Sequence, residues 1–378
     1  MIDPKRIQRD FPSLAGRTYL NSAAEGIPPN AVGESIQAYW HDKQKGMDGR
    51  IGHIKTEQEC REVVARALTM SPEEIAFCSC SAEAYNLLAS TFDFDAGDEV
   101  VINDLDFPSG ATPWLVGKNP PRCRLWRAVN GELRLADLRP LLSHRTRLVQ
   151  VSLVSFFNGY RVLWAPFAAC VRELAPSAIL AVDVTQALGR FVLECSGADI
   201  VISSTHKWSL GIHGGCVVGV QTDSAQRLTA RAGGWYNLQD AFGPRRFEQA
   251  EAKTGAASFA TGMPSFAAIY ALNAGLRYIE QIGIECIAAH ADRLVAEVHA
   301  GLREVGLSPM APYQVACSSG IVAFAHPKAE EIGRALAADG IHVMSPAGRV
   351  RISLHGYNTR DDVKRLLRSL RRNTRKAE

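Results

Sequence analysis

The chain has 378 residues, 47% of them hydrophobic and 21% charged, and its 42 basic and 39 acidic residues leave a net charge of only +3. Its length suggests roughly two domains at ~100–200 residues each, and its composition is that of a globular protein with a sizeable core. So near a balance of charge gives no electrostatic reason to expect nucleic acid or an anionic membrane as a partner.

In chain order, the first informative stretch is Phe77-Cys78-Ser79-Cys80-Ser81-Ala82-Glu83-Ala84. It passes from a strand-like segment into a helix carrying Tyr85, Leu87 and Leu88. Small residues let the backbone come close, so the free N–H groups near Ser81, Ala82 and Glu83 suit an anion; a plain Ser-capped helix is the equal alternative. Glu99 to Ile102, Leu148 to Val154, Ile179 to Val182 and Asp199 to Ile202 read as buried strands. They are nearly continuous apolar runs, which predicts a sheet covered on both faces. Helix candidates such as Pro166 to Leu174 lie between them, so the pattern is repeated βα units and a mostly parallel sheet. After about residue 265 the rhythm changes. Phe266, Ile269, Leu272, Leu276 and Ile279 mark one long helix, and Ile287, Leu294, Val298 and Leu302 the next, with a break near Gly283. Strands follow at Gly320 to Ala325 and Arg349 to Leu354. A last helix opens with a capping-box-like start at Thr359-Arg360-Asp361-Asp362 and carries Val363, Leu366, Leu367 and Leu370 inward. The expected division is a large domain over 15–265 and a smaller α+β domain over 266–378, joined by 1–14.

In open parallel sheets, ligands bind beyond the carboxyl ends of the strands. The polar segments that follow the apolar runs are 104–109, 155–159, 183–186 and 203–207. Lys207, directly after a buried strand, is placed for imine chemistry, and Asp183 ends another strand. A lysine that forms a Schiff base and a carboxylate that holds a pyridinium proton are what a pyridoxal phosphate enzyme needs.

With these residues in view, the chain resembles the class V aminotransferases of the aspartate aminotransferase fold. That group includes cysteine desulfurases, isopenicillin N epimerase-like proteins, ergothioneine-pathway C–S lyases and kynureninase. The resemblance runs from Tyr19-Leu20-Asn21-Ser22-Ala23-Ala24 to Arg351-Ile352-Ser353-Leu354-His355-Gly356-Tyr357-Asn358. Its most specific pieces are Val182-Asp183-Val184-Thr185-Gln186 and Ser204-Thr205-His206-Lys207. It implies an α/β fold, the pyridoxal-phosphate-dependent transferase fold type I: a mostly parallel sheet covered by helices, with a smaller C-terminal α+β domain. It also implies pyridoxal 5'-phosphate as cofactor. Lys207 would be the Schiff-base lysine and proton shuttle, and Asp183 would pair with the pyridine nitrogen. Gln186 would contact the ring hydroxyl and Phe107 would stack on the ring. Ser81, Ala82 and Glu83, through their amides, would hold the phosphate with Ser204 and His206. Gly262 and Met263 would approach the phosphate of a partner subunit, since such sites are shared in a homodimer. Arg351 would clamp the substrate carboxylate in bidentate fashion. Asn21, Ala23 and Ala24 would line the substrate pocket, with Asn158 as a further candidate there.

Several positions depart from the family pattern. Ala82 stands where many members have a hydroxyl, Phe107 replaces the histidine of the desulfurases, and Met263 stands where a threonine is common. Desulfurases have an asparagine near the position of Phe156, and Asn158 is the nearest one here. They also carry a nucleophilic cysteine on the loop before the carboxylate-binding arginine. Residues 343–349 hold no thiol, and the nearest upstream cysteine is Cys317, which disfavours desulfuration.

The remaining features read as bland. Nine scattered cysteines suit reduced thiols in an intracellular enzyme, and Cys78 and Cys80 read as small core residues rather than a redox pair. Trp208 and Trp235 read as packing groups, and His213 as a polar residue of the surface rather than one that touches the cofactor loop. His, Cys and carboxylates show no metal-ligand spacing, so no metal is expected. The basic cluster Arg365, Arg368, Arg371, Arg372, Arg375 and Lys376 reads as a solvated helix face and tail. With no signal-peptide core at the N-terminus and no long apolar span, cytoplasm is the expected location and no membrane is a partner.

Together these readings predict a homodimeric pyridoxal phosphate enzyme acting on a small α-amino acid. Transamination through a Lys207 Schiff base ranks first, with β-elimination (a C–S lyase) and epimerisation as alternatives. A catalytically inactive binding protein of this fold would be expected to have lost Lys207 or Asp183. A nicotinamide dehydrogenase would need a G-x-G-x-x-G after an early strand, which is missing.

Overall fold

The computed structural model describes residues 3–117, 119–314 and 318–374; Cys317, Arg375 and Lys376 lie outside them. Its strands in chain order are β1 (Thr18–Tyr19), β2 (Ile75–Cys78), β3 (Glu99–Asn103), β4 (Arg122–Trp126), β5 (Thr146–Ser152) and β6 (Ile179–Asp183). There follow β7 (Ile200–Ser204), β8 (Cys216–Val220), β9 (Ile321–Ala325), β10 (Ile341–His342) and β11 (Arg349–Ser353). Seven of them form the central sheet in the order β2-β8-β7-β6-β5-β3-β4. Neighbours from β7 to β4 pair in parallel, whereas β8 runs antiparallel to both β2 and β7. The expected parallel, doubly covered sheet is therefore present, with one reversed strand that the apolar pattern did not signal.

Two cores explain why the strands read as continuous apolar runs. On β6, Leu180 and Val182 belong to one core and Ile179 and Ala181 to the other. On β7, Val201 faces the first and Ile200 and Ile202 the second. Alternate side chains enter opposite faces of a strand, so with both faces covered no polar alternation survives.

The predicted helices are present as Trp164–Leu174, Phe266–Ile282 and Ile284–Glu304. Gly283 breaks the last two at a φ of 87°, a conformation suited to glycine. Helix Phe266–Ile282 packs Ile269, Leu272, Leu276 and Ile279 into the core of the large sheet. A separate core gathers Leu20, Leu294, Val298, Leu302, Phe324, Ile352, Leu366 and Leu370. Helix Phe266–Ile282 therefore packs with the large body, to which its apolar face is complementary; on the next helix Ile287 still joins that core, and the separate one begins at Leu294. Within 18–20, β1 pairs with β10 and Leu20 joins the separate core, whereas Tyr19 packs in the large one.

The final helix, Arg360–Thr374, starts as expected: Thr359 N–H donates to Asp362 Oδ2 at 2.8 Å and Asp362 N–H returns to Thr359 Oγ1 at 3.3 Å. Its arginines are engaged on the surface, Arg371 with Glu304 and Arg372 with Asp339. No helix among the described residues is long and apolar enough to cross a membrane.

Candidate active site

The parallel order β3, β5, β6, β7 brings the carboxyl ends of four strands into one row. Asp183 is the last residue of β6 and is buried. Its Oδ1 accepts the Thr185 N–H at 2.7 Å and its Oδ2 accepts the Tyr85 hydroxyl at 2.8 Å. Lys207 follows β7 in a tight return to β8. That return is built by Thr205, whose hydroxyl donates to the carbonyls of Ile212 and Gly215, and by the Gly211 N–H donating to the Thr205 carbonyl. Leu210 takes a φ of 59° there, a region that residues other than glycine rarely use.

Burial lowers the Lys207 amine to about 8, opposed by the charge of Asp183 and reinforced by that of Arg351. The lysine is thereby half-deprotonated only near pH 8, and a part of it is already neutral at neutral pH, the state needed for attack on an aldehyde. Its Nζ lies 5.7 Å from the centroid of Phe107, and Phe107 meets Phe156 edge-on at 5.0 Å.

The N-terminal segment covers this lysine. Gly26 N–H donates to the His206 carbonyl at 2.9 Å, and a Cβ on Gly26 would stand 1.8 Å from the Lys207 carbonyl oxygen. Ala23 is held by the Ser353 hydroxyl through its N–H at 2.9 Å, and its carbonyl accepts the Gln186 amide at 3.1 Å. Ala24 donates its N–H to Asn21. Gln186 also accepts Trp208 Nε1 at 2.7 Å, which leaves one of its N–H groups for a ring hydroxyl.

Arg351, on β11, is buried and donates through Nη1 to the Phe156 carbonyl at 2.7 Å. Its Nε and Nη2 are buried without a partner, as is Asn21 Oδ1. Asn21 bridges to Ser353, two residues along the strand from Arg351. Two unpaired buried guanidinium donors are costly unless a ligand accepts from them. They fit a carboxylate.

At the other end of the site, helix Ser81–Ser90 has Cys80 as N-cap and no side-chain cap, so the serine cap considered from the sequence is not formed. The Glu83 carboxylate instead folds back to accept from Ser79 N–H and hydroxyl, both at 2.6 Å. The first-turn amides of Ser81, Ala82 and Glu83 are left to face an anion. Ser204 donates its N–H to the Thr185 hydroxyl. His206 is stacked on His213 at 4.2 Å and is lowered to about 4, first by burial and then by Lys207 and His213. It is a neutral donor at neutral pH.

Some expected residues are placed differently. Asn158 is spent on its own loop: its amide nitrogen donates to Gly131 and its oxygen accepts Tyr160 N–H. Phe156 is the member of that loop that reaches the site, because the two arginines of β11 hold the carbonyls of Phe156 and Phe157. Gly262 and Met263 lie at the surface, Met263 exposed and no atom within 4 Å of a Cβ placed on Gly262. Trp208 is fully buried as expected, whereas Trp235 is exposed; Cys78 is buried, whereas Cys80 is exposed. His213 pairs with Glu25 at 3.0 Å, and the ligand atoms of Glu25, His206 and His213 lie within 4.8 Å of one another. Linear spacing hid that trio because Glu25 arrives from the N-terminal segment. A cavity of about 600 Å³ between the N-terminal helix and the small domain, floored by Ile7, Phe11 and Leu294, holds none of the expected site residues.

The class-V aminotransferase family profile matches residues 18–366. An uncharacterized aminotransferase of Bacillus subtilis, YcbU, is 26% identical over 96% of this chain and 95% of its own length. A probable cysteine desulfurase of Pseudomonas putida is 26% identical over 98% of each protein. Among solved structures, the apo cysteine desulfurase of Thermococcus onnurineus NA1 superposes with a TM-score of 0.88 at 23% identity, covering 98% of both chains. The cystine C-S lyase C-DES, in complex with its product cysteine persulfide, gives a TM-score of 0.86 at 21% identity over 96% of this chain and 99% of that one. These likenesses show the fold to be that of the pyridoxal-phosphate enzymes of fold type I. The chain belongs to the class-V aminotransferase family and takes pyridoxal 5'-phosphate as its cofactor.

Proposed function

We propose that the protein is a C–S lyase, cleaving the Cβ–S bond of a small cysteine-derived amino acid by β-elimination. The observation that carries this reading is the site's polar inventory. A Lys207 amine lowered to about 8 stands beside buried Asp183, Arg351 has two unpaired buried donors, and no thiol exists in the loop 343–348. Pyridoxal phosphate, when bound, accepts the electron pair of the bond broken at Cα. Asp183 would face the pyridine nitrogen and keep its proton; the amides of Ser81 to Glu83, with Ser204 and His206, would hold the phosphate; Phe107 would cover the ring. Arg351, with Asn21 beside it, would grip the α-carboxylate and so orient Cα toward Lys207. The neutral Lys207 amine takes the Cα proton, the Cβ–S electron pair leaves with sulfur, and hydrolysis then yields pyruvate and ammonia.

Relatives named cysteine desulfurase and the structural likeness to a cystine C-S lyase support elimination over transamination, the reaction that ranked first from the sequence. Forming a persulfide on the protein would need a cysteine on the loop before Arg351; releasing the sulfur group directly needs none. Transamination is retained as a second reading on one observation, the relative named as an uncharacterized aminotransferase along its full length.

The test is acceptor dependence. The cofactor-loaded protein, given cystine and S-substituted cysteines with no keto acid, is expected to release pyruvate and ammonia in equal amounts. Turnover only when a keto acid is added would make it a transaminase and overturn the proposal.

We also infer a homodimer with shared sites. Met47, Ile51, Ile54, Trp235, Phe242, Phe247 and Met263 are all exposed, an apolar set of the kind that marks a protein–protein interface. A second copy is its expected cover, with Gly262 and Met263 reaching the neighbouring phosphate.

A further inference from the structure

Beneath the carboxyl end of the sheet lies a second group of polar side chains that the reaction above does not use. Tyr85, on helix Ser81–Ser90, is buried and donates its hydroxyl to Asp183 Oδ2 at 2.8 Å. The same hydroxyl accepts Gln150 Nε2 at 3.2 Å. Burial pushes the phenol well above its ordinary value, so it stays a donor throughout the neutral range. Gln150 and Ser152 lie on one face of β5, and Ser152 is the register partner of Asp183 on β6. Ser152 N–H donates to Asp106 Oδ1 at 2.7 Å.

Asp106 is half-exposed as a residue, yet its Oδ2 is buried with no partner, and Gln150 Oε1 is likewise buried and unpartnered. Asp106 Oδ2 is thus a buried acceptor without a donor, which is a place for a proton. Burial, and secondarily the charge of Asp183, raises Asp106 to about 7. The groups that face it are Ser152, Asn103, Asp183 and the Tyr85 phenol. None of these is a cation; Lys207 is the charge partner of Asp183, and no cation stands among the groups named around Asp106.

We propose that Tyr85 and Asp106 are positioning residues for Asp183: the phenol fixes its Oδ2 by a hydrogen bond, and the neighbouring carboxyl sets the charge against which Asp183 meets a pyridine nitrogen. This rests on the assignment of Asp183 to that nitrogen. The phenol's donor spreads the charge of Asp183 and fixes its rotation. Asp106 adds negative charge beside it when ionised and none when protonated. Electron density on a pyridine ring follows the charge at its nitrogen, so the two residues act on it in opposite senses.

The experiment is a pH titration of the visible absorption band of the cofactor-loaded protein. Wild type is compared with Tyr85→Phe, Asp106→Asn and Asp183→Asn, and thermal unfolding checks that each is folded. Tyr85→Phe is expected to move the midpoint up by about half a pH unit or more, and Asp106→Asn to move it down by a similar amount. Should Tyr85→Phe not fold, Asp106→Asn decides alone. If Asp183→Asn alters the band while the other two titrate as wild type, or shift in the same direction, the positioning role is wrong. If Asp183→Asn also titrates as wild type, the assignment of Asp183 fails and the inference goes with it. A purely structural role would lower the unfolding temperature and leave the midpoint in place.

Discussion

Burial lowers the Lys207 amine to about 8 without stripping it of its charge partner Asp183. The sign of the consequence is definite. The protonated amine cannot attack an aldehyde, so the rate at which the apoprotein takes up pyridoxal phosphate should rise about tenfold per pH unit below the midpoint and level off above about 8. A rate still climbing steeply toward the ordinary lysine range would mean the amine is not buried as described. Arg351 carries the other half of the site. Its two unpaired buried nitrogens predict that Arg351→Ala weakens amino-acid binding by about 1.5–3 kcal/mol, roughly 10- to 150-fold. Titrating the loaded variant with substrate analogues measures this, and cofactor affinity should change far less. An equal loss of both affinities would contradict the clamp.

At the scale of elements, the site depends on the N-terminal segment lying flat on the Lys207 loop. Gly26 makes that contact, since a Cβ would meet the Lys207 carbonyl at 1.8 Å. Gly26→Ala should therefore lift the segment, with a cost of about 1–3 kcal/mol typical of overpacking. Thermal unfolding should show the loss, together with weaker cofactor retention; an unchanged melting temperature would show that the segment is free to move. Much of this scale was legible in the sequence. Strand–loop junctions at Asp183 and Lys207, the break at Gly283 and the capping box at Thr359 each carry a local signal that tertiary packing reinforces. Other parts were not. The reversed strand Cys216–Val220 has the same apolar face pattern as its parallel neighbours, so its direction is set by the tight Thr205–Gly215 return. Asn158 looked like a site residue by position, but its amide is taken up by Gly131 and Tyr160. Tyr85 read only as a residue of the helix after Cys80, because nothing near it in sequence announces Asp183 as its partner. Glu25 gave no signal at all, since its neighbours His206 and His213 lie far along the chain.

For the whole molecule, the exposed apolar set on helix Arg50–Leu68 and the segment 235–263 should be an interface between two copies. Light scattering after size exclusion is expected to give twice the 41.1 kDa mass of the chain. Ile51→Asp, placing a charge in that face, should shift it toward monomer; a wild-type monomer with full activity would remove the shared site. The account as a whole stands on one amine. Borohydride reduction of the cofactor-loaded protein, followed by peptide mass mapping, should place the reduced cofactor on Lys207 and nowhere else, and Lys207→Ala should carry none. A reduced adduct on a different lysine, or one that persists in Lys207→Ala, would contradict it.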